Sequence, residues 1–167
     1  MDVTTSRQMK IAYIGGGSKA WAWKLMSDLA TDPDIAGEVL LYDIDFEAAQ
    51  RNEKIGNGIE AQNFRYKAVQ SLKDALTGAD FVVISILPGT LQDMMSDVHT
   101  PEEYGIYQSV GDSTGPGGIL RAMRTIPMYV EIAQAIEKYA PRAWVINYTN
   151  PMSMCTDTLY RVFPKIK

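Results

Sequence analysis

Four short runs of this chain are apolar almost throughout, and longer amphipathic stretches separate them. They are KIAYIG (residues 10–15), EVLLYD (38–43), DFVVISIL (80–87) and AWVINY (143–148). A strand with one wet face alternates polar and apolar residues. A strand buried on both faces does not, and such burial belongs to parallel sheets covered by helices. Between the runs, Ser18 to Ala30 reads as a helix, with Trp21, Leu25 and Leu29 spaced at four. Asp45 to Ile59 reads as a polar helix and Tyr66 to Val69 as a short strand. Ser71 opens a short helix, with Asp74 completing a capping box. Residues 88–118 are rich in Gly, Pro, Asp and Ser and read as irregular. A helix from Ile119 to Tyr139 follows, and Asn150-Pro151 starts a last one, with Asn as cap and Pro in the first turn. Strand–helix alternation gives one fold class: an α/β, doubly wound, Rossmann-like parallel sheet, a single domain over residues 1–167.

Composition removes several functions. With one histidine (His99) and one cysteine (Cys155), the chain cannot supply a zinc cluster of ordinary spacing or a disulfide framework. A net charge of −4 excludes the basic face expected of a nucleic-acid partner. No apolar run is long enough to span a bilayer, and the opening MDVTTSRQMK lacks a signal-peptide core. The expectation is a cytoplasmic protein without nucleic-acid or membrane partners. Cys155 reads as a core residue and His99 as a solvated or capping one.

Chemistry concentrates at three places. In IGGGSKA, Gly15, Gly17 and Ala20 make a Gly-x-Gly-x-x-Ala pattern between a strand and a helix. Gly15 permits a tight turn, Gly17 lets a pyrophosphate approach the backbone, and Ala20 lets the helix pack on the sheet. Helix-start amides then face the phosphates, and Ser18 adds a hydroxyl. Asp43, ending the second strand, is placed to bond the adenosine ribose and to repel a 2′-phosphate, favouring NAD over NADP. The bland alternative is a structural turn and a helix cap. Second, GDSTGPGG (111–118) leads into a helix carrying Arg121 and Arg124, suited either to an anion or to a flexible hinge with solvated arginines. Third, VINYTNP (145–151) sits where a strand ends and a helix begins, the ligand edge of an open sheet. Asn147 and Asn150 offer amides to sugar or ribose hydroxyls there, although a capping role alone explains Asn150.

Taken in order and spacing, IGGGS, LLYDID, VGDSTGPGGILRAMRTIP and VINYTNPMS resemble the NAD-dependent glycoside hydrolases of family four, most of all the α-galacturonidase branch. The resemblance runs from about Lys10 to Lys167, and the family is an exception to two-carboxylate glycosidase chemistry. It implies that Gly15, Gly17, Ser18 and Asp43 belong to the NAD site, that Ile86, Pro88 and Gly89 lie along the cofactor, that Asn147 lies near the nicotinamide, and that Asn150 binds substrate. Family members oxidise the sugar 3-hydroxyl with a tightly held NAD. The ketone acidifies the proton on carbon 2, a base removes it beside a divalent metal (usually manganese), the aglycone leaves, water adds, and the hydride returns. The 6-phospho-sugar branches carry a Gln-x-Arg segment after the fourth strand, where this chain has SILPG. A hexuronide substrate is therefore expected rather than a 6-phospho-sugar.

The family's metal cysteine, in a Gly-x-Cys-His type segment, and its second metal ligand and tyrosine base correspond to positions past Lys167. The resemblance thus places no catalytic residue and no metal ligand within these residues. The expectation is the N-terminal, cofactor-binding part of a larger homo-oligomeric enzyme, inactive alone. Two other readings stand beside it: a non-catalytic NAD-binding module, and a 2-hydroxyacid dehydrogenase, which the single histidine disfavours.

Overall fold

The computed structural model describes residues 7–60 and 63–167; residues 1–6, which carry most of the opening segment read above, lie outside them. Five parallel strands form one sheet: β1 (Arg7–Ile14), β2 (Ile35–Tyr42), β3 (Phe64–Val69), β4 (Phe81–Ile84) and β5 (Trp144–Asn147), in the order β3-β2-β1-β4-β5. The helices are α1 (Trp21–Thr31), α2 (Phe46–Asn57), α3 (Leu72–Leu76), α4 (Leu91–His99), α5 (Gly115–Tyr139) and α6 (Met152–Val162), with a 3₁₀ turn at Thr100–Tyr104. The order reverses between β1 and β4, so the two chain halves diverge there and leave a crevice at the carboxyl edge of the sheet.

The apolar runs of β1, β2 and β4 are buried on both faces, but β5 is not: as the edge strand it leaves Trp144 and Ile146 exposed on one face, so the AWVINY run is not a strand buried throughout. Along β1, Ala12 and Ile14 face one core layer with α3, α5 and α6. Ile11 and Tyr13 face the other with α1 and α2. Both layers include β1 and β4, the first with Val82 and Ile84 and the second with Val83, and this packing holds the strand ends that border the crevice.

Several boundaries differ from the sequence reading. α1 begins at Trp21 rather than Ser18, because residues 15–18 form the loop and the Ser18 hydroxyl accepts from the Trp21 N–H at 3.3 Å. β4 stops at Ile84, since beyond Ser85 the next N–H, that of Ile86, turns to the Thr149 hydroxyl at 2.9 Å. Residues 88–118 are not irregular throughout: they hold α4 and the 3₁₀ turn. α4 starts with a capping box in which the Thr90 hydroxyl accepts from the Asp93 N–H and Asp93 accepts from the Thr90 N–H. α5 begins at Gly115, four positions before Ile119. Asn150 does not cap α6. Pro151 holds the cap position, and the Asn150 side chain turns away towards residues 112 and 113.

Candidate functional site

The loop after β1 is built from its own packing. Gly15 has φ +96°, and a Cβ there would lie 2.0 Å from the Ser85 carbonyl oxygen. A Cβ on Gly17 would lie 2.6 Å from the Ala48 Cβ and 2.8 Å from an Asp43 oxygen. The space these glycines leave is thus filled by protein, a closer reason for glycine than access for a phosphate. The Gly15 and Gly16 N–H groups both donate to the Tyr42 carbonyl at 2.9 Å, tying the loop to the end of β2. Below it, the Tyr13 phenol is pushed up from its ordinary pKa, first by burial, and pairs with Ser85.

Asp43 closes the loop from the other side. One carboxylate oxygen accepts from the Gly17 N–H at 2.8 Å and the other from the Asp45 N–H at 2.9 Å. Each oxygen keeps a further lone pair for a hydroxyl. Asp45, not Asp43, caps α2, its side chain accepting from the Ala48 N–H. Asn52 of α2, buried, donates to the Gly16 and Ser18 carbonyls at 2.7 and 2.9 Å and accepts from the Trp23 indole at 2.8 Å. Sequence reading passed over Asn52: a lone Asn in a polar helix carries no signal until α2 is docked against the loop. Ala20 stands at the N-cap of α1 and offers no side-chain bond to the first-turn amides; the Trp21 N–H is taken by the Ser18 hydroxyl, and the amides after it face the end where an anion would bind.

Across the crevice, α4 and α5 carry an ion-pair network. Arg121 pairs with Asp112, and Arg124 pairs bidentately with the buried Asp97, with the second contact at 3.1 Å. The Asn150 amide reaches the same group, donating to Asp112 and accepting from the Ser113 hydroxyl, both at 3.4 Å. Leu87, Pro88, Leu91 and Met94 line a shallow cleft over the two arginines. Gly89 lies against them, the Arg124 Nε being 3.1 Å from where its Cβ would be. Carboxylates thus engage both Arg121 and Arg124, although Arg124 stays partly exposed and the Nε of each arginine is buried without a partner. The structure brings Asn150, Asp112 and Arg121 together, and brings Ile86, Gly15 and Asp43 together around the glycine loop. It keeps His99 away from both groups, exposed and 3.0 Å from Glu102. Cys155 is buried in the core, its thiol raised to about 11 by burial.

Two predictions arise here. Asp97→Ala strands Arg124, whose side chain is 32% exposed. Removing one partner of a buried pair is strongly destabilising, and partial hydration reduces the loss to about 2 kcal/mol. Urea denaturation measures it, and a change under about 0.5 kcal/mol would show the pair to be decorative. Asp93 is held below the ordinary carboxylate range, first by the Thr90 N–H, then by the Thr90 hydroxyl. A depressed folded-state pKa means that the cap of α4 contributes at neutral pH and is lost only as pH falls through that lowered value. A carboxyl-carbon NMR titration should find the Asp93 midpoint below that of an unstructured aspartate. A midpoint at or above it contradicts the capping geometry.

Comparison with known proteins gives the chain a family. The profile of the family 4 glycosyl hydrolases matches residues 10–167. The chain belongs to that family. It is 67% identical over 159 residues to an alpha-galacturonidase from Thermoanaerobacter italicus, covering 95% of this chain and 35% of that protein. The chain thus spans about a third of that relative's length. The fold superposes on a Bacillus subtilis glucosidase with a TM-score of 0.93 at 64% identity, covering 96% of this chain and 37% of the other. It also superposes on the 6-phospho-beta glucosidase of Thermotoga maritima, solved with NAD and glucose-6-phosphate, with a TM-score of 0.81 at 28% identity, covering 95% and 38%. Among the described residues no helix is long and apolar enough to cross a membrane.

Proposed function

We propose that this family 4 chain is the NAD-binding part of a glycosidase that cleaves α-galacturonides by redox elimination and addition of water. The observation that carries the reading is the glycine loop at the strand-order reversal, closed by Ser85 on one side and by Asp43 on the other. That crevice is where open α/β sheets take dinucleotides. The residues fit the cofactor: Gly15, Gly17 and Ser18 shape the loop, the α1 start faces the pyrophosphate, and Asp43 accepts from the adenosine ribose. Ile86, Pro88 and Gly89 border the nicotinamide end. Bound there, NAD supplies a hydride acceptor regenerated within each turnover, so hydrolysis is redox-neutral. Asn150 orients the sugar, and Asp112, fixed by Arg121, holds the Asn150 amide in place.

The manganese of the family finds no such fit in this part. Among the described residues no three His, Cys, Asp or Glu side chains come together as a metal site, and no step is assigned to a metal here. The metal ligands and the base belong to the positions that the resemblance puts past Lys167. The preference for a hexuronide rests on SILPG in place of a phosphate-binding arginine and on the identity to an alpha-galacturonidase.

The test joins residues 1–167 to the remainder of the Thermoanaerobacter italicus alpha-galacturonidase. With NAD and Mn²⁺ the chimera should release nitrophenol from the α-galacturonide, while residues 1–167 alone should bind NAD and release none. A chimera selective for a 6-phosphoglucoside would overturn the substrate, and turnover by residues 1–167 alone would overturn the division of labour.

A further inference from the structure

Asn147 ends β5 with its amide fully engaged. Its Oδ1 accepts from the Tyr129 hydroxyl at 2.6 Å and from the Thr149 N–H at 2.9 Å. Its Nδ2 donates to the Thr149 carbonyl at 3.4 Å and to the Thr156 hydroxyl at 3.3 Å. Two acceptor sites and two donor hydrogens are the whole inventory of a side-chain amide, so none remains for a ligand. Thr149 is itself buried, 2% exposed, and its hydroxyl accepts from the Ile86 N–H at 2.9 Å. Ile86 in turn lies against the glycine loop, its methyl 3.3 Å from where a Gly15 Cβ would be. One chain of hydrogen bonds therefore runs from Tyr129 on α5 through Asn147 and Thr149 to Ile86 in the segment after β4, and the Ile86 side chain packs beside the loop after β1.

We infer that Tyr129, Asn147 and Thr149 are positioning residues, a latch that fixes the 85–89 segment against the 147–150 segment and thereby sets the nicotinamide end of the cofactor site. A buried polar network of this kind holds a geometry only when every member is satisfied, and here each of the three is. Tyr129 is 0% exposed and burial raises its phenol far above the ordinary tyrosine range, so it stays protonated and donates at any physiological pH. The two segments it joins leave the paired strands β4 and β5, whose last backbone bond runs from the Tyr148 N–H to the Ile84 carbonyl at 2.8 Å; beyond it the latch takes the place of the sheet ladder. Asn147 acts through this latch rather than by touching the cofactor.

The functional half of the inference rests on the NAD reading; the mechanical half does not, and two measurements separate them. The first is calorimetric binding of NAD and of ADP-ribose, which lacks the nicotinamide, to residues 1–167 as wild type, Tyr129→Phe, Thr149→Val and Thr149→Ser. The latch predicts that Thr149→Val and Tyr129→Phe weaken NAD about tenfold, the worth of one good hydrogen bond, and leave ADP-ribose unchanged. Thr149→Ser, which keeps the hydroxyl, restores NAD. A merely structural role lowers the melting temperature and weakens both ligands alike, and that result overturns the functional half. The second is amide exchange without ligand. The latch predicts faster exchange at residues 86–89 and 148–150 together in both Tyr129→Phe and Thr149→Val, and acceleration in one segment alone overturns the coupling. Should wild type bind neither ligand, the NAD reading falls, and the exchange result decides the latch by itself. Tyr129→Phe removes one hydroxyl from the core and keeps the measurement available if Thr149→Val does not fold.

Discussion

Gly15→Ala is expected to cost about 3 kcal/mol of stability and to abolish NAD binding. Two independent terms add. A residue with a Cβ is strained at φ +96°, and the added carbon would sit 2.0 Å from the Ser85 carbonyl oxygen. Backbone cannot yield as a flexible side chain would, so the loop must leave Ser85 or β4 must shift. Either movement displaces Ile86 and opens the crevice at its narrowest point. Thermal denaturation and NAD calorimetry on the same sample test this. A variant that melts within about 2 °C of wild type would contradict the close approach of the two loops.

Asp43→Ala is the second large effect, and it acts on both stability and ligand. The carboxylate accepts from the Gly17 and Asp45 N–H groups, so its loss leaves two amides without their partner and loosens the turn into α2. Such a loss costs about 1–2 kcal/mol. In the proposed NAD site its bonds to the ribose would be charge-assisted, so NAD binding should weaken by about thirtyfold or more. Removing the negative charge also removes the repulsion of a 2′-phosphate, and the preference for NAD over NADP should shrink with it. Asp43→Asn separates the two roles: it keeps a carbonyl acceptor for one amide while discarding the charge. If Asp43→Ala binds NAD as wild type does, the carboxylate serves only the loop.

The sheet was legible because parallel strands buried on both faces are apolar almost throughout, and β1, β2 and β4 are so. The glycine loop was legible because its residues are local: Gly15, Gly17 and the strand and helix around them lie within one short stretch. The α4 helix was not, since Leu91 and Met95 are exposed at 70% and 62% and give no buried stripe to read. Its one clear signal, Thr90 with Asp93 three residues on, lay in a stretch whose Gly and Pro content pointed to a loop. The remaining features are partnerships across distance. Arg124 meets Asp97 across 27 positions, Asn150 meets Asp112 across 38, and Ile86 meets Thr149 across 63. A sequence displays the cations, the amides and the hydroxyls but not which of them meet, so Arg121 and Arg124 read equally well as an anion site or as solvated residues. Asn150 read as a cap for the same reason: its partners, Asp112 and Ser113, are brought to it by the loop before α5.

The proposed function stands or falls with a dinucleotide site at the β1–β4 crevice in which Asp43 selects NAD. Calorimetric titration of residues 1–167 with NAD and with NADP tests it most directly. One NAD should bind per chain, with NADP at least about tenfold weaker because its 2′-phosphate would meet the Asp43 carboxylate. No heat with NAD at millimolar concentration, or equal affinity for the two dinucleotides, would contradict it.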